Sequence, residues 1–135
     1  MANIRSTAVV LGGLMMASCT AAPYNRAPGQ DAQRELAEAL AGRTPGPAQR
    51  CVANFELRSM QVIDDNTILF RKGSTVYIQR PPGGCSGLAS GSRTLVTRPL
   101  GSQLCAGDLN YTVDLSSGMR GPTCVFGPFV PYTRR

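Results

Sequence analysis

The spacing of apolar positions along this 135-residue chain changes several times, and each change predicts a different element. Ala8 to Ala17 is an uncharged, largely apolar stretch of about ten residues. Residues 20 to 29 show no apolar period, and the segment 19–30 reads as a flexible tether. Ala32, Leu36, Ala39, Leu40 and Arg43 then fall on one helical face, which predicts a short helix over 31–42. Asp31 is placed to cap it and Gly42 to stop it, and the run Thr44-Pro-Gly-Pro47 closes it off. Its apolar stripe is narrow and mostly alanine, so such a helix must dock on something to persist.

After Gln49 the period shortens to two. Val52 to Leu57 and Ser59 to Ile63 read as short strands, with Asp64-Asp65-Asn66 as a turn. Thr67 to Arg71 and Thr75 to Gln79 flank Lys72-Gly73-Ser74 and predict a hairpin. Arg80-Pro-Pro-Gly-Gly84 breaks the sheet, Cys85 to Ser92 reads as loop, and Thr94 to Thr97 as a further strand. Leu109 to Leu115 alternates strictly. The expectation is that Leu109, Tyr111, Val113 and Leu115 face the core, with Asn110, Thr112 and Asp114 in water. Thr123 to Phe126 is the last expected strand, because Pro128 and Pro131 are expected to keep the tail beyond it from regular pairing. The fold class implied is mainly β (α+β): a small antiparallel sheet or partly closed barrel with one short N-terminal helix, disulfide-braced, forming a single domain over 31–135.

The start of the chain bears on compartment. An apolar stretch of about ten residues is too short to span a bilayer, which takes roughly 20. With Arg5 before it, the stretch has the form of a secretory signal core, and residues 1–18 are set aside as an address. Met16-Ala17-Ser18-Cys19 resembles the lipobox of bacterial lipoproteins, departing from it in Met at the first position where Leu is commoner. The resemblance implies cleavage before Cys19 and lipidation of its thiol and new amino group. Stable anchoring takes two lipid signals, which such a modification supplies. A cut by ordinary signal peptidase after Ala22 would place Pro23 next to the scissile bond, a poor position for it. By analogy with Gram-negative sorting, Thr20 rather than Asp after the cysteine implies the periplasmic face of the outer membrane.

An exported chain can form disulfides, and beyond Cys19 there are four cysteines, Cys51, Cys85, Cys105 and Cys124. Two bridges are expected, and sequence leaves all three pairings open. A metal site is disfavoured: the chain has no C-x-x-C and no histidine. No cofactor is expected. The mature chain carries 13 basic against 8 acidic residues, scattered along its length, which suits a solvated surface or an anionic envelope component. Export argues against nucleic acid as the partner.

Catalytic chemistry has few carriers here. Without histidine, Ser-His and Cys-His pairs are impossible. Ser-Lys catalysis would need Lys72, the only lysine, at a hairpin tip. Asp64, Asp65 and Asp108 are the carboxylates an acid/base enzyme would use, but Asp-Asp-Asn is turn chemistry in which side chains cap local backbone. Gly83-Gly84 and the Gly87–Gly91 loop match no phosphate-binding fingerprint.

Leu40-Ala-Gly-Arg-Thr44, Val62-Ile-Asp-Asp65, Thr67-Ile-Leu-Phe70, Gly101-Ser-Gln-Leu-Cys105 and Gly127-Pro-Phe-Val-Pro-Tyr-Thr133 together resemble a family of small proteobacterial envelope proteins of unknown function. That resemblance, over Leu36 to Thr133, implies export and a compact domain and lends no site residues. The functional expectation is a non-enzymatic, lipid-tethered module that binds an envelope protein or anionic envelope component. The alternatives are an inhibitor of a cell-wall hydrolase or periplasmic stress module, inserting a loop such as Arg80 to Ser92, and a carboxylate-dependent enzyme.

Overall fold

A computed structural model describes residues 29–135; the signal segment, Cys19 and the tether as far as residue 28 lie outside the described residues. The helix α1 spans Gln30–Leu40, starting one residue before and ending two residues before the expected 31–42. Gly29 takes the N-cap position, and Asp31 lies inside the first turn and pairs with Arg34 at 2.8 Å rather than capping. A carboxylate there still faces the positive end of the helix dipole. Gly42, at φ 68°, takes the left-handed conformation expected of a helix stop. Among the described residues no helix is long and apolar enough to cross a membrane.

Ten strands follow: β1 (Thr44–Pro45), β2 (Cys51–Ala53), β3 (Ser59–Asp64), β4 (Thr67–Lys72), β5 (Thr75–Gln79), β6 (Arg93–Val96), β7 (Gln103–Cys105), β8 (Leu109–Asp114), β9 (Arg120–Val125) and β10 (Phe129–Thr133). They form three antiparallel sheets, ordered β1-β10-β5-β4-β3, β2-β7 and β6-β8-β9. The fold is mainly β, and none of the sheets closes into a barrel. The β4–β5 hairpin forms as expected, with Lys72 opposite Thr75 and Gly73 at φ 54° in the tight turn.

The five-stranded sheet is covered on both faces, which explains why β4 and β5 are apolar almost throughout. On one side Leu69, Val76, Ile78 and Ile63 meet Ala32, Leu36, Ala39 and Leu40 of α1, so the alanine-rich stripe docks there. On the other, Ile68, Phe70, Tyr77 and Phe129 meet Val52, Leu104, Leu95, Cys85, Cys124 and Phe126. Phe70, Phe126 and Phe129 form an aromatic trio with centroids 5.7–6.0 Å apart, at angles that set ring edges toward ring faces. Gln79, fully buried beside them, donates to Gly127 O and accepts from Gly127 N, both at 2.8 Å, so its amide is satisfied while it pins the β9–β10 turn.

The tail departs from expectation. Residues 129–133 pair regularly as β10, inside the sheet between β1 and β5, with Pro131 opposite Tyr77. In an antiparallel strand the N–H and C=O of one residue point to the same neighbour. Pro131 O accepts from Gly46 N at 2.8 Å, so the missing N–H faces the short β1 side and the β5 ladder loses nothing. Two further elements carried no signal in the alternation: β1, within the Thr44-Pro45 stop, and the three-residue β7. The run Val52 to Leu57 is also split, since Asn54–Glu56 form a 3-10 turn.

Candidate functional site

The four domain cysteines form two bridges, Cys51–Cys105 and Cys85–Cys124. Cys51 and Cys105 stand directly opposite each other on β2 and β7. Cys85 and Cys124 are buried and tie the 80–92 segment to β9. That segment is folded down: Leu88 is buried, and Asp65 accepts from Gly87 N at 3.0 Å and Ala89 N at 2.7 Å. Gly84, at φ 72°, approaches so closely that a Cβ would lie 2.6 Å from Asn66 Oδ1 and 2.9 Å from Asp65 O. Asp65 is therefore a cap for a distant loop rather than for its own turn, while Asp64 does cap locally, accepting from Asn66 N at 2.7 Å.

The other candidate chemistry is similarly occupied. Asp108 accepts from Cys105 N at 2.8 Å and shapes the loop before β8. Asp64 closes β3 and Asp65 sits in the turn to β4, while Asp108 lies before β8 and borders two hollows that neither of the other two lines. Lys72 pairs with Glu56, and the hydrogen bond to that carboxylate raises its pKa, the wrong direction for a general base. Among the described residues no group of His, Cys, Asp and Glu is arranged to hold a metal ion.

The most unusual surface is the outer face of the β6-β8-β9 sheet. The alternation of β8 is real, but its faces are reversed. Asn110 and Thr112 are 0% exposed, whereas Leu109 is 65% and Leu115 64% exposed. The register gives the reason. Asn110 stands opposite Cys124 and Thr112 opposite Leu95, and directly paired residues share a face. Cys124 must point inward to reach Cys85, so Asn110 goes in with it. Turning the sheet over in the same register would bury the leucines but expose Cys124 and Leu95. Gly121 makes room for this arrangement, since a Cβ there would lie 2.6 Å from Thr112 Oγ1 and overlap the Arg93 guanidinium.

The reversal puts Leu109, Tyr111, Val113 and Leu115 on one outward strip. Two guanidiniums stand over the Tyr111 ring, Arg120 at 3.9 Å and Arg98 at 5.5 Å from its centroid. Neither has a carboxylate within ion-pairing distance among the described residues. Leu100 and Met119 are exposed beyond the strand. A hollow of about 250 Å³ between Arg98, Leu100, Gly107, Asp108 and Leu109 borders the strip. Sequence spacing placed Leu109 and Tyr111 in the core and gave no reason to connect Arg98 with Arg120; only the Cys85–Cys124 pairing would have revealed the strip. Neither a family model, nor a curated protein, nor a solved structure matches this chain.

Proposed function

We propose that the chain is a non-enzymatic lipoprotein, anchored through lipid on Cys19 to the periplasmic face of the outer membrane, which docks another envelope protein on the outward strip of β8. It is of a kind with the small proteobacterial envelope proteins that its motifs resemble. The observation that carries the docking role is the inside-out strand: two polar side chains are buried while two leucines and an arginine-flanked tyrosine face water. Burying polar groups costs free energy unless they are fully paired, and Asn110 Oδ1 has no hydrogen-bond partner among the described residues. Local rules of this kind are broken at functional sites more than elsewhere. Tyrosine and arginine are also the side chains that dominate binding hot spots. Two guanidiniums without acidic partners call for carboxylates on the docked protein, set beside an apolar patch.

The anchor is supported by the cysteine arithmetic. Four thiols pair within the domain, and Cys19 stands apart behind a signal-like stretch. A tether of about ten residues would hold the domain within ~35 Å of the lipid surface. The rival inhibitor reading needs a projecting loop, and the folded-down 80–92 segment favours the docking face over it.

The test is a photo-crosslinking residue placed at Leu109 in the full chain, in living envelopes, with Phe55, exposed elsewhere, as the control position. One discrete protein adduct at Leu109, lost in the Arg98→Glu/Arg120→Glu variant and absent at Phe55, is the expected result. Lipid adducts alone would mean that the strip rests on the membrane. Identical patterns at both positions would refute the docking face. Intact mass separately reads the anchor: residues 19–135 plus acyl groups are expected.

A further inference from the structure

The 13 basic residues of the mature chain are scattered in sequence, yet the fold gathers three of them. Arg43 follows α1, Arg71 lies on β4 and Arg134 follows β10, and all three line one cleft of about 260 Å³ between the helix and the five-stranded sheet. Glu35, Glu38, Ala39 and Gln61 complete its wall. This cleft shares no residue with the strip of β8.

Two of the guanidiniums are held in place. Arg43 donates from Nε to Ala39 O at 3.2 Å and from Nη1 to Ser74 O. Arg71 donates from Nη2 to Gln61 Oε1 at 3.1 Å. Each keeps N–H groups unused among the described residues, where Arg134 makes no hydrogen bond. No carboxylate lies within ion-pairing distance of any of the three among the described residues; Glu38 approaches Arg34 instead, at 3.9 Å. The Arg43 pKa is lowered by burial and then by the charges of Arg134 and Arg71, as expected where like charges converge uncompensated.

Planar guanidinium forks match oxyanions in pairs of parallel hydrogen bonds, and three forks suit a tetrahedral dianion better than a carboxylate, which one fork satisfies. We infer that this cleft binds a phosphate group, gripped by Arg43, Arg71 and Arg134. Glu35 and Glu38 on the helix wall oppose the anion, so the site favours a compact phosphate over an extended polyanion.

The experiment is a titration of the full mature chain with inorganic phosphate at constant ionic strength, chloride making up the balance, followed by NMR of the arginine Nε–H signals. Phosphate-specific, saturable shifts at Arg43 and Arg71 are expected. Arg134→Ser removes an exposed side chain with no hydrogen bond among the described residues, so it will not unfold the domain, and it should weaken binding about ten-fold. Arg71→Lys keeps the charge but loses the fork and should weaken it too, whereas Arg50→Ala, an exposed arginine outside the cleft, should leave affinity unchanged. Equal responses to phosphate and chloride, or unchanged affinity in Arg134→Ser, would overturn the inference. Vesicles then separate the sources. Binding to phosphatidic acid over phosphatidylcholine, lost in Arg134→Ser, assigns the phosphate to a lipid headgroup; phosphate binding without vesicle binding assigns it to a soluble ester.

Discussion

Replacing Cys85 and Cys124 together by alanine opens a bridge across 39 residues, and the fold allows the cost to be worked out. Restricting an unfolded loop of that length is worth about 4 kcal/mol in the chain-entropy account. The Cys51–Cys105 bridge spans 54 residues and comes to about 4 kcal/mol on the same scale, so loop length alone does not separate the two. Burial does. Cys85 and Cys124 are 1% and 3% exposed, among Leu88, Leu95 and Phe126, whereas Cys51 and Cys105 are half-buried. Removing two sulfurs from the core leaves a void costing about a further 1–2 kcal/mol. Against a total stability of about 5–15 kcal/mol for a domain, either loss is large. The assay is urea unfolding followed by circular dichroism or tyrosine emission, the chain having four tyrosines and no tryptophan. With a slope of about 1–3 kcal/mol per molar, the Cys85→Ala/Cys124→Ala midpoint should fall by roughly 2–6 M, further than for Cys51→Ala/Cys105→Ala. A fall below about 0.5 M, or the reverse order of the two variants, would refute the reasoning. Loss of both bridges should leave the chain unfolded at 37 °C, which ties folding to an oxidising compartment.

Asp114 accepts four hydrogen bonds from Ser116 and Ser117, and these hold its carboxyl well below the ordinary 3.8. Its contribution to stability is therefore complete above that value and is lost as pH falls below it toward the depressed folded pKa. Acid titration should show wild-type stability declining below about pH 4, and Asp114→Asn should be destabilised at neutral pH with a flatter acid limb; parallel curves would count against the assignment. On β8, Leu109→Ser should change stability by less than about 0.5 kcal/mol, because the side chain is mostly in water. Thr112→Val should stay within about 1 kcal/mol of wild type in urea, since its hydroxyl reaches Pro122 O only at 3.5 Å, and a loss above about 2 kcal/mol would show that the buried hydroxyl is firmly bonded.

How much of this was legible in the residues depends on which force decides each feature. The β4–β5 hairpin was, because branched and aromatic residues on both arms and Gly73 at the tip agree with the tertiary outcome. The helix was legible in extent but not in capping, since a glycine just before it took the role that Asp31 has the better side chain for. The place of β10 inside the sheet was not, because the objection to Pro131 holds only if its absent N–H faces a strand that needs it, and a one-dimensional pattern does not record that direction. Convergence of Arg43, Arg71 and Arg134 was invisible for a related reason: each is unremarkable in its own segment, and only the order of strands brings β4 and the end of β10 to the helix.

The reversed face of β8 is the most instructive failure. Hydrophobic periodicity correctly gave an alternating strand, and the same logic then assigned the leucines to the core. What outweighs it is covalent. A bridge worth about 4 kcal/mol orients Cys124, and the register passes that orientation to Asn110 on the neighbouring strand. Full burial of a leucine is worth about 1.5–3 kcal/mol, and both keep about a third of their surface covered, so leaving the two outside forgoes about 2–4 kcal/mol, no more than the bridge supplies. The disulfide that braces the domain thus also turns the apolar strip of β8, the proposed docking face, outward. The Cys85→Ala/Cys124→Ala variant should therefore lose the Leu109 adduct even under conditions where it remains folded, because without the bridge nothing holds Cys124 inward and the β6-β8-β9 sheet is free to turn its leucine face toward the core.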